Sequence, residues 1–137
     1  MSLSSWKKEY YPIPASRCSK KNALDHSIRK WTGLLKVNLK KHGLRADAGE
    51  LLDGKHTTGF GIDCESCALC HYYMDIRMNC GACPLALANK GVPCDGHYWD
   101  DDHSTLLGQY SRFLQFDNAR PMLNLLKKAK RMLDGVK

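Results

Sequence analysis

Apolar residues in the first third of the chain recur with helical spacing. Leu24, Ile28 and Trp31 are separated by four and three residues, which places them on one face of a helix. Asn22 carries a side chain typical of a helix cap and directly precedes this face. The pattern therefore predicts a helix over residues 23–32 in which Trp31 is buried.

A second, shorter helix is predicted directly after the first. Gly33 indicates a stop or a weak point in the helical pattern. Leu35 and Leu39 then fall on one face of a new segment, and Gly43 ends it. We therefore expect two short helices over residues 22–43 rather than one long helix.

Residues 44–63 show no sustained hydrophobic period. Glycine occurs at positions 49, 54, 59 and 61 among aspartate and threonine, which is a composition typical of turns. We expect a mobile loop here, directly before the cysteine-rich part of the chain. Such a loop would be either a binding loop or a disordered one.

The last third of the chain predicts two helices over residues 104–135. Ser104 can cap the first helix. Asp117 or Asn118 can cap the second, with Pro121 in its first turn. Both helices carry an apolar stripe with a period near that of an α-helix. The stripes consist of Leu106, Leu107, Tyr110, Phe113 and Leu114, then of Met122, Leu125, Leu126, Ala129, Met132 and Leu133.

Length and composition indicate one soluble domain over residues 1–137. The chain is 43% apolar and 26% charged, and no apolar run approaches the roughly 18 residues of a membrane span. Residues 1–10 lack the apolar centre of a secretory signal, so we expect a cytoplasmic protein without a membrane partner. In that compartment the seven cysteines are better explained as metal ligands than as disulfides.

The net charge of +7 is unevenly distributed. Residues 1–45 hold eleven Lys and Arg against two Asp and Glu, residues 46–103 hold three against ten, and residues 104–137 hold seven against two. Two basic stretches, the first beginning with an N-terminal arm over residues 1–21, thus flank an acidic centre. They are either solvated helix faces or a surface for nucleic acid or an acidic protein, and charge alone does not decide.

Six of the seven cysteines lie between residues 64 and 94. Two C-x2-C pairs stand among them, Cys67 with Cys70 and Cys80 with Cys83. At this spacing both thiolates face one point while backbone amides donate to the sulfurs, and two pairs complete a tetrahedral zinc site. Residues 71–79 can form a hairpin, and Pro84 can begin a short helix. The predicted fold is therefore mostly α with a small zinc-centred α+β module over residues 64–99, a treble-clef-like knuckle, hairpin and short helix.

The ligand set and the metal each have an alternative. Cys94 lies in turn chemistry and can replace a cysteine of the second pair. The zinc ligands are therefore expected to be four of Cys67, Cys70, Cys80, Cys83 and Cys94. Cys64 is a spare ligand or a free thiol, and the remote Cys18 is an ordinary thiol. An iron-sulfur cluster is the alternative cofactor because residues 64–70 begin like a ferredoxin loop and Cys83-Pro84 resembles its end, although Cys83 is too distant from Cys70 for that motif.

The sequence carries no arrangement typical of an active site. The densest polar run outside the cysteines consists of His97, Asp100, Asp101, Asp102 and His103. Three consecutive aspartates cannot all face one centre, and no helical or strand period aligns these groups. Zinc-deaminase, phosphate-loop and nucleophile-elbow motifs are missing. A zinc with four thiolates has no open position, so we predict a non-enzyme without a small-molecule substrate.

Two stretches of the chain resemble small uncharacterised cysteine-rich proteins of phages and prophages. They are His26 to Leu34 with His42-Gly43-Leu44, and Ser66 to Cys70 with Cys80-x-x-Cys83-Pro84-Leu85 and Cys94. The resemblance covers about half of the chain, and neither Cys64 nor the aspartate run is part of it. The resemblance implies an accessory phage protein with a cysteine-bound metal, acting in the cytoplasm of a bacterial host.

The predicted function is that of a zinc-binding accessory protein that binds a host or defence macromolecule, with a protein favoured as the partner. Nucleic-acid binding is the alternative. It ranks second because the predicted zinc module is acidic and its short helix offers no arginine for base reading. The candidate partner or phosphate contacts are basic residues of both arms: Lys7, Lys8, Arg17, Lys20, Lys21, Arg29, Lys30, Lys127, Lys128, Lys130 and Arg131.

Overall fold

The computed structural model describes residues 2–47, 49–62, 66–73, 84, 88 and 119–135. Within them the chain is mostly helical with one three-stranded antiparallel sheet, as the predicted fold class requires. The helices are α1 (Leu3–Tyr10), α2 (Ala23–Gly33), α3 (Lys36–Lys41), α4 (Ala68–Tyr73) and α5 (Arg120–Gly135). The strands are β1 (Leu44–Asp47), β2 (Glu50–Asp53) and β3 (His56–Gly61). One hydrophobic core joins all five helices and the sheet.

The two short helices predicted over residues 22–43 are confirmed as α2 and α3. Gly43 follows α3 with φ of 72°, the left-handed conformation in which glycine commonly ends a helix. Trp31 is only 2% exposed, as its place on the apolar face predicts. The cap differs from the prediction, because the Asn22 side chain makes no capping bond. Ser19 instead accepts a hydrogen bond from the Asn22 amide in the 3-10 turn before α2.

The expectation of a mobile loop over residues 44–63 is wrong, because most of this segment forms the sheet. β1, β2 and β3 pair in chain order as an antiparallel meander. Gly49 and Gly54 lie in the two-residue turns between the strands with φ of 82° and 63°, conformations that glycine adopts without steric cost. Leu51 and Leu52 are both buried, so β2 lacks the alternation by which a strand is recognised.

The predicted N-terminal arm over residues 1–21 contains a helix, α1, that belongs to the core. Trp6 has no exposed surface, and its indole Nε1 donates to the Gly33 carbonyl oxygen at 2.9 Å. Its ring also meets the Phe60 ring edge-on at 5.3 Å. α1 approaches α2 so closely that a Cβ at Gly33 would lie 2.6 Å from Tyr10 Cβ. A glycine at this position is therefore a packing requirement.

The apolar stripe predicted for the last helix is confirmed over the first part of α5. The buried residues of α5 are Met122, Leu123, Leu125, Leu126 and Ala129. Met132 and Leu133 are 45% and 51% exposed, so the stripe leaves the core near the end of the helix. α5 packs against α2, where Lys130 Nζ lies 2.6 Å from an Asp25 carboxylate oxygen. The helix predicted from Ser104 lies outside the described residues.

No helix within the described ranges is long and apolar enough to span a membrane.

Candidate metal centre

The Cys67 and Cys70 pair forms a tight turn that leads directly into α4. The Cys67 carbonyl accepts the amides of Cys70 at 3.1 Å and His71 at 3.4 Å, which begins the helix. Hydrogen bonding from the Cys70 side chain and from the backbone of Leu69 and Cys70 lowers the pKa of the Cys67 thiol. Amide donation to sulfur is the feature expected of a C-x2-C knuckle that binds metal through thiolate.

The surroundings of Cys67 favour its ionised form. The hydrogen bond from the Cys70 thiol lowers the pKa of the Cys67 thiol well below its ordinary value, against the opposing effect of burial. The Lys30 ammonium and the two backbone amides lower this pKa further. Because zinc binds thiolate rather than thiol, the pair is electrostatically suited to hold a metal ion.

Lys30 reaches this position from α2 through the protein interior. It is 1% exposed, and its Nζ donates to the Ser66 carbonyl at 3.0 Å and to the Ser66 hydroxyl at 3.4 Å. The ammonium also lies 5.6 Å from the centre of the Trp31 ring. Burial of an ammonium is costly without such partners. A positive charge is thus fixed next to the thiol of Cys67.

The prediction that Lys30 contacts a phosphate or a partner at the surface is wrong, because its side chain is buried. Lys30 follows Ser27 by three residues and Ala23 by seven, and both of these small residues are buried on the same face of α2. These small residues on the face of Lys30 were the sequence signal that could have indicated its burial. This signal was outweighed by the general rule that lysine lies in solvent.

The connection before α2 contacts both α4 and α2. The Tyr72 hydroxyl donates to the Cys18 carbonyl, which joins α4 to this connection. His26 Nε2 lies 2.6 Å from the Ile13 carbonyl, and its ring packs edge-on against Tyr11 at 5.0 Å. Burial lowers the pKa of His26, so we assign a neutral imidazole that donates from Nε2. The Cys18 thiol is buried, and burial raises its pKa.

The hairpin predicted over residues 71–79 is wrong at its start, because α4 continues to Tyr73. Helix is favoured here because the amides of the knuckle already adopt a helical turn and Leu69 is buried in the core. Residues 74–79 lie outside the described residues. Pro84 and Ala88 are helical and buried, in agreement with the short helix predicted at these two positions.

The described structure brings together two of the five predicted ligands. The other three predicted ligands, Cys80, Cys83 and Cys94, lie outside the described residues. Cys64 and the polar run of His97, Asp100, Asp101, Asp102 and His103, which are not predicted ligands, lie outside them too. Within the described ranges no group of three or more His, Cys, Asp or Glu side chains is placed to hold a metal. Zinc therefore stays a prediction, for which the knuckle supplies half of a four-thiolate donor set.

A second polar cluster joins α1 to α3, away from the cysteines. Ser5 Oγ lies 2.8 Å from His42 Nδ1, and His42 Nε2 lies 2.8 Å from a Glu9 carboxylate oxygen. Ser5 Oγ also donates to the Ser2 carbonyl at 2.9 Å. The single hydroxyl proton of Ser5 is thus directed at Ser2 rather than at His42. The cluster is a structural tie between helices rather than a nucleophile with its base.

Three of the other predicted basic contacts interact with identified neighbours. Arg29 Nε donates to the Glu9 carbonyl at 2.6 Å, and the Lys7 ammonium lies 5.3 Å from the centre of the Phe60 ring. Lys130 is paired with Asp25. The remaining exposed members of the set are Lys8, Arg17, Lys20, Lys21, Lys127, Lys128 and Arg131.

Comparisons of the chain with protein-family models, curated proteins and solved structures find no match. The resemblance to phage proteins accordingly stays a prediction.

Proposed function

We propose that the chain is a non-enzymatic zinc-binding accessory protein of the phage type, which acts by binding a protein of the host or of its defence system. The observation that carries the metal part of this proposal is the Cys67 knuckle. Hydrogen bonding from the Cys70 side chain and the local backbone, and the charge of the buried Lys30 ammonium, lower the pKa of the Cys67 thiol. Both features stabilise a thiolate, and in a cytoplasmic protein such a thiolate pair is most simply explained by metal binding.

The metal would be structural. A zinc bound by Cys67, Cys70 and two of Cys80, Cys83 and Cys94 would supply a tetrahedral cross-link without an open coordination position. Four thiolates and one zinc ion carry a net charge of about −2. The Lys30 ammonium would offset part of that charge within the core. Through Lys30 and Ser66 the knuckle is also tied to α2, so metal binding would stabilise the helical core.

A protein partner is favoured over nucleic acid by the state of the basic residues. Lys30 is buried, Lys130 is paired with an aspartate, and Arg29 is bonded to a backbone carbonyl. The positive surface open to phosphates is therefore smaller than the sequence suggests. Met132 and Leu133, in contrast, are large apolar residues about half exposed at the end of α5. Methionine is enriched at protein interfaces, whereas lysine is depleted there.

Elemental analysis of protein purified without added metal tests the metal site. We expect one zinc per chain. Cys67→Ser and Cys70→Ser should lose the metal, whereas Cys18→Ala, the matched variant at a cysteine that is not a predicted ligand, should keep it. A chain without zinc, or a brown chain containing iron, contradicts the proposal.

Titration with random duplex and single-stranded DNA at several salt concentrations tests the choice of partner. Phosphate binding predicts a logarithm of affinity that falls linearly with the logarithm of salt, with a slope set by the number of phosphates neutralised. We expect no DNA binding at low salt and capture of a protein from host lysate. Micromolar or tighter DNA binding with a steep slope favours the nucleic-acid alternative.

A further inference from the structure

A shallow groove is lined by residues of α3 and β1 and by Gly43, which connects them. Its volume is about 370 Å³. Leu39, Leu44 and Ala46 form an apolar floor, and Lys36, Lys40 and Arg45 form a basic rim. Val37, next to this rim, is 71% exposed. The groove therefore combines apolar and cationic surface along one strand.

β1 is an edge strand of the described sheet, and its free edge faces away from β2. Asp47 pairs with Glu50 across a two-residue turn, which makes them a hydrogen-bonded pair. Since hydrogen-bonded and non-bonded pairs alternate in an antiparallel ladder, the N–H and C=O of Ala46 point outward. No described residue bonds to these two groups. An unpaired edge of this kind is a template for another strand.

The rim is electrostatically unbalanced. Lys36, Lys40 and Arg45 are exposed, and none of them pairs with an acidic side chain within the described residues. Arg45 Nε donates only to the Gly54 carbonyl, at 3.2 Å. The one acidic side chain of β1 is Asp47, at the turn end of the strand. An acidic ligand is therefore favoured at the end of β1 nearer to α3.

We propose that an extended acidic segment of the partner protein adds to β1 as a fourth strand. The segment bonds to the outward N–H and C=O of Ala46, its alternate apolar side chains lie on Leu39 and Leu44, and its carboxylates meet the rim. Main-chain bonds supply affinity in this mode of recognition, and alternate side chains supply specificity. The inference rests on the proposed function only in taking the partner to be a protein.

Fluorescence anisotropy with a labelled peptide of alternating Glu and Val measures the interaction on the full, metal-loaded chain. We expect saturable binding that weakens with salt, and slower amide hydrogen exchange at Ala46 in the complex. A peptide of alternating Lys and Val should not bind. Two further Glu-Val peptides carry N-methyl groups on alternate amides, one at the odd positions and the other at the even positions. A strand that bonds along one edge uses only every second amide, so one of these peptides should lose binding and the other should keep it.

Charge reversal locates the site on the protein. The double variant Lys36→Glu/Lys40→Glu should weaken peptide binding by about tenfold or more, since like charges would then face each other across the groove. Lys127→Glu/Lys128→Glu changes the net charge by the same amount on the exposed face of α5. This matched control should bind the peptide like the unmodified chain.

Three outcomes overturn the groove assignment. In the first, the two double variants weaken peptide binding equally. In the second, a single-stranded oligonucleotide binds as tightly as the acidic peptide and with the same salt dependence. In the third, sedimentation shows that the chain self-associates through β1. Zinc content and lysate capture are measured on the same preparation. A chain that holds zinc and captures a protein, yet binds no peptide, contradicts the groove while leaving the proposed function intact.

Discussion

Replacing Trp6 tests whether α1 is an integral part of the core. The side chain has no exposed surface and lies between the rings of Tyr10, at 6.1 Å, and Phe60, at 5.3 Å. Its Nε1 donates to the carbonyl of Gly33, the last residue of α2. Trp6→Ala therefore removes a large ring from a filled site and leaves a buried carbonyl without its donor.

The expected cost follows from these two losses. Truncation of a buried tryptophan costs about 3–5 kcal/mol, and a buried carbonyl left without a donor adds about 1–3 kcal/mol. We expect Trp6→Ala to lower the free energy of unfolding by about 4–8 kcal/mol, a large share of the total for a domain of this size. Trp6→Phe keeps most of the ring but loses the donor, and should cost about 2–3 kcal/mol.

Urea unfolding followed by far-ultraviolet circular dichroism measures both values. Lys8→Ala is the matched control, because it truncates an exposed residue of the same helix and should change stability by less than about 0.5 kcal/mol. If Trp6→Ala does not fold, Trp6→Phe still provides the measurement. Losses no larger than that of Lys8→Ala would show that α1 is not packed in the core, and would refute the reasoning.

Three further variants test the remaining contacts. Lys30→Met removes the ammonium near Cys67 and should raise the pKa of that thiol; site-resolved alkylation of metal-free protein across pH checks this, and an unchanged profile contradicts it. Gly33→Ala places a Cβ against α1 and should cost about 1–3 kcal/mol in urea unfolding, so a neutral result would disprove the close approach. Hydrogen bonds from Lys41 and its histidine neighbour lower the pKa of Glu9 from 4.5 to about 2. The ionised carboxylate therefore stabilises the fold above pH 4.5, and this contribution is lost as the pH falls toward 2. Glu9→Gln should lower Tm at pH 7 and flatten its acid dependence, whereas parallel Tm curves would contradict the ion pair.

Helical periodicity was sufficient to predict α2, α3 and the buried part of α5. Trp31 could be assigned to the core because its partners on the apolar face are only three and seven residues away in sequence. The C-x2-C spacing was likewise sufficient to predict the tight turn at Cys67 and Cys70, since the hydrogen bonds of this turn join residues that are close in sequence. These features depend on local geometry, which a sequence pattern records directly.

The sheet and the position of Lys30 were not predicted, for two different reasons. β1 and β2 have only four residues each, and Leu51 and Leu52 are both buried, so β2 shows no alternation of apolar and polar positions. The pair Asp53-Gly54 was the strongest available hairpin signal. Lys30 can be buried because Ser66 accepts hydrogen bonds from its ammonium. Ser66 is 36 residues away in sequence, so no local pattern contains that contact.

The meander has a consequence for the order in which the chain assembles during synthesis. Its paired residues are at most eleven positions apart in sequence, so both hairpins can close within microseconds of leaving the ribosome. The contact between Asp25 and Lys130 instead spans 105 positions and must wait until α5 has been translated. For several seconds, at about 5–20 residues per second, α2 presents the apolar surface that α5 later covers. We expect nascent chains arrested before α5 to be the form of this protein that chaperones bind.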